Sequence, residues 1–282
     1  MYIIILFLNG IIMVKKVIIL TGNETRHKYF KSRLSIDDRF NVMCSYCEGN
    51  QKSLANRIKL SPEASQIEKL HVEARTQSEI DFFSSYIDAS KDLSKSKVIK
   101  KGEINNTDIV NQILNLNPDL LVCYGSSLIK SKLLSVFKGR FLNVHLGLSP
   151  YYRGAGTNVW PLINFEPELV GATFMHIDSG IDTGKVFHQI RADFMLGDSP
   201  HSIGNRLIKK MTDTYCEIID KFNFLHNEKQ INYSGKLYYI KDFDYKACKK
   251  LYDNLQNGMI FKYLKNKKLR KLPKIIKNRG LN

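Results

Sequence analysis

In the run FLNVHLG, Asn143 and His145 stand two apart, the spacing that turns both side chains to one face of a β-strand. An amide there can donate to an oxygen that gains negative charge, and an imidazole can hold or move a proton near neutral pH. Further along, DSGIDTG supplies Asp182, a carboxylate able to fix the imidazole tautomer and favour its protonated form. Strands of an α/β sheet open their C-terminal ends onto a shared crevice, so a polar pair at one strand end can face a loop from its neighbour. The trio is equipment for acyl transfer without a covalent intermediate. Taken singly, each member also has a structural reading: a strand-end histidine satisfied by its neighbours, and an aspartate serving turn chemistry.

The elements that must hold this trio follow from the pattern around it. VKKVIILTGN is a β-rich apolar run ending in a Gly turn, and the helix-like ETRHKYFKSRL follows, the order that opens a Rossmann-like unit. No G-x-G-x-x-G is present, so a dinucleotide is not indicated. SQIEKLHVEARTQSEIDFFSSYI is helical and sets His71, Arg75 and Glu79 on one face, either as a surface salt-bridge ladder or as a polar stripe turned to a ligand. DIVNQILNLNPDLLVCYGSSLI gives a helix, an Asn-Pro stop and a buried strand. ELVGATFMHIDSGIDTGKVFHQI predicts two strands around a Gly-punctuated loop, and SPHSIGNRLIKKMTDTYCEIIDKF one long amphipathic helix. The expected fold is α/β: a Rossmann-like mixed, mostly parallel sheet flanked by helices, with a short C-terminal helix and hairpin extension. A catalytic domain is expected over 13–205, and a C-terminal helix, hairpin and basic tail over 206–282.

A chain of 282 residues, 43% hydrophobic and 25% charged, has the composition of an ordinary soluble protein rather than a disordered one. Its net charge of +16 favours anionic partners. More than half of that excess lies between Lys262 and Arg279, where nine basic residues occur and no acidic one, a composition expected of a solvated tail. Five scattered cysteines, an odd number without a secretory signal, point to free thiols and a cytoplasmic location. Cys44 and Cys47 form a C-x-x-C without the second pair a structural zinc site needs, so no metal is expected. The apolar opening MYIIILFLNGII is too short for a membrane span and breaks at Asn9-Gly10; the fold proper is expected to begin at Met13.

The blocks NVHLGLSPYYRGAGTN and GATFMHIDSGIDTGKV, in that order, resemble the catalytic signature of the 10-formyltetrahydrofolate-dependent formyltransferases, and the similarity covers about Val17 to Arg206. The resemblance implies that Asn143, His145 and Asp182 are the catalytic trio, and that a substrate amine attacks the formyl carbon of N10-formyltetrahydrofolate. The resulting oxyanion would be held by Asn143 and protonated His145, one well-aimed donor contributing ~3 kcal/mol. It further implies that Ser126, Leu128 and Ile129, with Asp178, Gly180 and Gly184 of the acidic loop, form the folate pocket. For Leu128 and Ile129, burial in the core is an equal reading.

For the acceptor, the turn TGNETRH places Asn23, Arg26 and His27 where the purine-pathway relatives bind a substrate phosphate. Main-chain donors at a helix start plus Arg can hold such a group, or the segment is simply a capped helix. The loop wording Leu-Ser-Pro-Tyr-Tyr-Arg-Gly-Ala-Gly-Thr-Asn is most similar to the amino-sugar N-formyltransferases of surface polysaccharide biosynthesis. There Tyr151, Tyr152 and Arg153 would suit sugar stacking and diphosphate pairing, with loop packing an equal reading for the tyrosines. The expected acceptor is therefore an amino sugar, nucleotide-linked, and not nucleic acid. Methionyl-tRNA is the alternative, although the residues after the long helix look too few for the oligonucleotide-binding barrel those enzymes carry. A folate-dependent deformylase or a non-catalytic folate binder is the other class, disfavoured by the short stretch before the first strand and by the complete trio. KLYYI is a candidate homodimer contact.

Overall fold

The computed structural model describes residues 14–51, 53–231, 233, 235–266 and 272–281. The opening apolar run therefore lies outside the described residues, as does part of the basic tail. The chain runs β1 (Lys15–Gly22), α1 (Thr25–Ser35), β2 (Phe40–Glu48), α2 (Leu54–Leu60), α3 (Gln66–Ala89), β3 (Ser96–Ile99), α4 (Thr107–Leu116), β4 (Leu120–Tyr124), α5 (Ser131–Val136) and β5 (Phe141–His145). It continues through β6 (Tyr152–Gly154), α6 (Trp160–Ile163), β7 (Gly171–His176), β8 (Val186–Arg191), α7 (Pro200–Lys221), β9 (Lys236–Tyr238), α8 (Tyr245–Gln256) and α9 (Met259–Asn266).

Seven strands form one sheet in the order β3-β2-β1-β4-β5-β7-β8. The first five are parallel, and β7 and β8 are antiparallel additions, so the sheet is mixed and mostly parallel. Alternation along β1 explains why helices cover both faces. Val17 and Ile19 join the core beneath α1, α3 and α7, whereas Ile18 and Leu20 join the core beneath α4 and α5. Local signals delimit the helices: Ser65 and Glu68 form a reciprocal capping box on α3, and Asn117 ends α4 in a left-handed conformation just before Pro118.

Two expectations for the chain after α7 change. In place of a hairpin there is, among the described residues after α7, a single short strand, β9, paired in parallel with β6. Within KLYYI, Tyr238 is stacked on Trp160 at a ring separation of 4.1 Å, whereas Tyr239 and Ile240 remain exposed. The division expected at 205 to 206 falls inside α7, whose buried residues on both sides of it, Ile203 and Leu207 among them, belong to one core.

The tail is docked where it is described, although Lys274, Lys277 and Arg279 stay exposed. Residues 272–281 run along β8: the Gln189 amide donates to the Ile276 carbonyl, and the Ile276 amide donates to the Gln189 side chain, at 2.8 and 2.9 Å. The Asn278 amide donates to His188 Nδ1 at 3.0 Å. Apolar Ile276 and the exposed backbone of an edge strand satisfy each other, which charge counting does not foresee. His188 must be neutral to accept that bond, and burial followed by the charge of Lys277 pushes its pKa down to about 4. His71 and His201 are lowered by burial to about 3 and about 4. The folded state keeps these rings neutral while the unfolded chain binds protons below about 6.5, so stability is lost as pH falls through that value. Urea midpoints measured at pH 7.5, 6 and 5 should fall in that order, with a shallower slope for His188→Gln.

The C-x-x-C lies on β2 rather than at a helix start, and all five cysteines are free and buried. Burial raises the thiol of Cys123 to about 11 and those of Cys216 and Cys248 to about 12. A disulfide-exchange reagent at pH 7.5 should therefore label none of the five in the native protein and all of them in denaturant.

Candidate active site

At the C-terminal ends of β1, β4 and β5 opens a cavity of about 990 Å³. Its position follows from the parallel topology: the sheet order reverses between β1 and β4, which separates the neighbouring loops. Asn143, His145 and Asp182 all line it.

His145 is 8% exposed, and its Nδ1 lies 3.2 Å from Asp182 Oδ2. Its Nε2 lies 3.1 Å from the Tyr152 carbonyl and 3.2 Å from the Thr157 hydroxyl, which spends its own proton on the Leu146 carbonyl. Every oxygen around the ring accepts, so both ring nitrogens are placed to donate. Asp182 adopts a left-handed backbone, φ +53°, and its Oδ2 also accepts from the Gly154 amide at 2.9 Å. A carboxylate held by both a main-chain donor and an imidazole has a fixed direction. Asn143 lies on the same face of β5 as His145 and borders the same space.

The lining divides into two arms by the elements that carry it. One is bounded by Ser126, Leu128, Ile129 and the Asp178 to Gly184 loop, with Ile177 beside it. Leu128 is 69% exposed, so core packing does not account for it; it presents an apolar wall beside exposed main chain. The loop behind it is braced from below. Glu48, 1% exposed at the end of β2, accepts from the amides of Ser127 and Gly102 at 2.5 and 2.7 Å, and Asn105 donates to the Leu128 carbonyl at 2.9 Å. Asp178 folds the acidic loop by accepting from the Gly180 amide and the Thr183 hydroxyl. Gly184 passes so close to β7 that a Cβ would sit 1.8 Å from the His176 carbonyl. An apolar wall opposite a polar main-chain rim fits a flat, hydrogen-bonding ring such as a pterin.

The other arm carries the helical stripe. His71, Arg75 and Glu79 of α3 all border the cavity, with His201 and Asn205 of α7. The stripe turns inward because α3 packs against both α1 and α7, which buries His71 and Glu79 and leaves Arg75 partly exposed.

The phosphate reading of the first turn is corrected. Arg26 is already gripped by Glu24 and by Glu79 at 2.7 Å, and Arg75 reaches the same two carboxylates. Glu24 caps α1 and occupies its amide donors. His27 is buried, accepts from the Glu24 amide, and is pushed well below its usual pKa by burial and then by Arg26. Two arginines and two glutamates balance in charge at this corner, and Asn23, Arg26 and His27 all border the cavity.

Tyr151 and Tyr152 are corrected as well. Both are buried, Tyr151 donating to the Lys274 carbonyl and Tyr152 bonding Glu166 and Asn164, and neither they nor Arg153 borders the cavity. In their place stand Trp160, Tyr238 and Phe243, which the sequence did not single out. Glu48, Asn105, Thr157 and Gln230 were missed too. Of these, Glu48 left a trace, a charged residue ending an apolar strand before Gly49.

A three-layer α/β protein with an amide, an imidazole and a carboxylate at the strand ends is the class that fold and site define. A family model described as formyl transferase matches residues 50–219. The chain belongs to the formyl transferase family. It is 34% identical over 150 residues to a methionyl-tRNA formyltransferase of Finegoldia magna, covering 50% of this chain and 47% of that protein. To the enzyme of the same name from Buchnera aphidicola it is 29% identical over 149 residues, again 50% and 47%. The chain thus spans about half the length of the curated relatives it matches. Among solved structures, a sugar N-formyltransferase from a Shewanella species superposes with a TM-score of 0.54 at 16% identity, covering 86% of this chain and 88% of that one. A 4-N formyltransferase from Francisella tularensis gives 0.53 at 21%, covering 81% and 78%. These likenesses show the shared fold.

No group of side chains able to hold a metal occurs among the described residues, and no helix there is long and apolar enough to cross a membrane.

Proposed function

We propose that the protein transfers a formyl group from N10-formyltetrahydrofolate to the amine of an amino sugar carried on a nucleotide, in surface polysaccharide synthesis. The observation that carries this reading is that Asn143, His145 and Asp182 border one cavity, with Asp182 Oδ2 3.2 Å from His145 Nδ1. The arm of Leu128, Ile129 and the acidic loop would hold the pterin, and the bound folate would supply an already activated formyl group. Asn143 is positioned to donate to the formyl oxygen as negative charge builds there, with the His145 ring bordering the same space. Asp182 keeps the ring turned and is the nearest carboxylate to take up the proton an attacking amine must lose.

A sugar fits the second arm because that arm is polar but electrically balanced. Asn158, His201 and Asn205 offer hydrogen bonds suited to hydroxyls, and Trp160 with Tyr238 gives an apolar side. The diphosphate would lie at the rim, where Lys241 is exposed beside the Tyr239 ring. The curated relatives favour a second reading, methionyl-tRNA as acceptor, and the net charge of +16 is compatible with it. The two separate in one assay. The protein is incubated with N10-formyltetrahydrofolate and either a panel of nucleotide-linked amino sugars or charged initiator tRNA, and tetrahydrofolate release is followed. Turnover with a sugar and none with the tRNA supports the first reading; the reverse overturns it.

A further inference from the structure

We propose that Gln230 is a positioning residue of the His145–Asp182 pair, so that the segment following α7 completes the catalytic site instead of merely trailing it. This inference rests on the reading of that pair as catalytic.

Asp182 sits at the tip of a loop with a left-handed backbone, and the carboxylate direction depends on where that backbone is held. Gln230 holds it. Its Nε2 donates to the Asp182 carbonyl at 2.9 Å and to the Gly184 carbonyl at 3.0 Å, one amide bridging both sides of the loop end. Gln230 is itself fixed by its own segment. Glu228 and Val186, at the start of β8, exchange backbone hydrogen bonds at 2.8 Å in both directions. Two residues further back, the His226 carbonyl accepts from Asn278 of the C-terminal strap at 2.8 Å.

The other partner of the carboxylate is held by the same part of the chain. Gly154, whose amide donates to Asp182 Oδ2, belongs to β6, and β6 pairs with β9 alone among the described strands. Two described stretches, 226–231 and 236–238, thus brace Asp182 from two directions, through the Gln230 side chain at the loop backbone and through β9 at the carboxylate donor. None of these residues touches the reacting atoms, so their effect must pass through the orientation of Asp182 and, from it, of His145.

The test uses the full chain with 15N-labelled histidine, reading the ring-nitrogen resonances of His145. Asp182→Asn should displace the His145 Nδ1 resonance. Gln230→Leu, similar in size but without donors, should displace it in the same direction by at least half as much, with the circular dichroism spectrum unchanged. Should Gln230→Leu fail to fold, Gln230→Glu, which keeps the shape and loses the donors in its ionised form, is read in the same way. An undisplaced His145 resonance in a folded variant overturns the proposal. This readout needs no substrate, so it stands apart from the choice of acceptor. Where an acceptor is turned over, kcat in the variant should drop by about tenfold with KM for the folate donor within about twofold, as expected of misaligned groups.

Discussion

His145→Ala should lower turnover by about 10³-fold, and Asp182→Asn by about 10²-fold or more, with the fold of both variants intact. The alanine removes the ring that borders the reaction space and leaves the Tyr152 carbonyl and the Thr157 oxygen without their donor. The asparagine keeps the hydrogen bond from Gly154 available through its amide oxygen but takes away the negative charge that faces His145 Nδ1. Asn143→Ala should cost about 10² to 10³, the range for loss of one donor to a developing oxyanion. Tyr151→Phe provides the control, because its hydroxyl bonds the Lys274 carbonyl away from the cavity. The measurement is tetrahydrofolate release under saturating folate donor. Near-normal rates for both His145→Ala and Asp182→Asn would overturn the assigned roles.

Gly154→Ala should be strongly destabilising, by about 3 kcal/mol in urea unfolding. Gly154 has φ +90°, and a Cβ there would stand 2.1 Å from the Tyr238 carbonyl oxygen, a main-chain atom that already accepts from the Ala155 amide. To make room, β9 must leave β6, and the amide that holds Asp182 moves with it. Gly139 separates the two causes. It has φ +75° but nothing within 4 Å of its Cβ position, so Gly139→Ala carries the backbone strain without the collision and should cost only about 1 kcal/mol. Equal losses for the two variants would show that β9 is not tightly paired. A Gly154→Ala protein that still folds should also lose activity, whereas Gly139→Ala should not.

The sheet, its helical layers and the placement of Asn143 beside His145 were legible because each rests on short-range rules. Apolar runs such as VIIL and LLVCY specify buried strands, Asn117-Pro118 stops α4, and period two puts Asn143 and His145 on one side of β5. The family motif added Asp182, whose distance to His145 no local rule provides.

What surrounds the trio followed from tertiary structure alone. Tyr151, Tyr152 and Arg153 have side chains that suit a sugar, yet the pairing of β6 with β9 turns the tyrosines inward, and Trp160 and Tyr238 take the wall. Arg26 looked like a phosphate ligand until Glu79, from a helix more than forty positions away, neutralised it. The basic tail looked solvated, yet Ile276 and Asn278 close the free edge of β8. The sequence by itself determined which segments are strands and helices and which residues can do chemistry, since propensity and periodicity act over a few positions. Which charges cancel, which rings face the cavity and which loop holds Asp182 are set by partners distant in the chain, and only the folded arrangement brings those partners together.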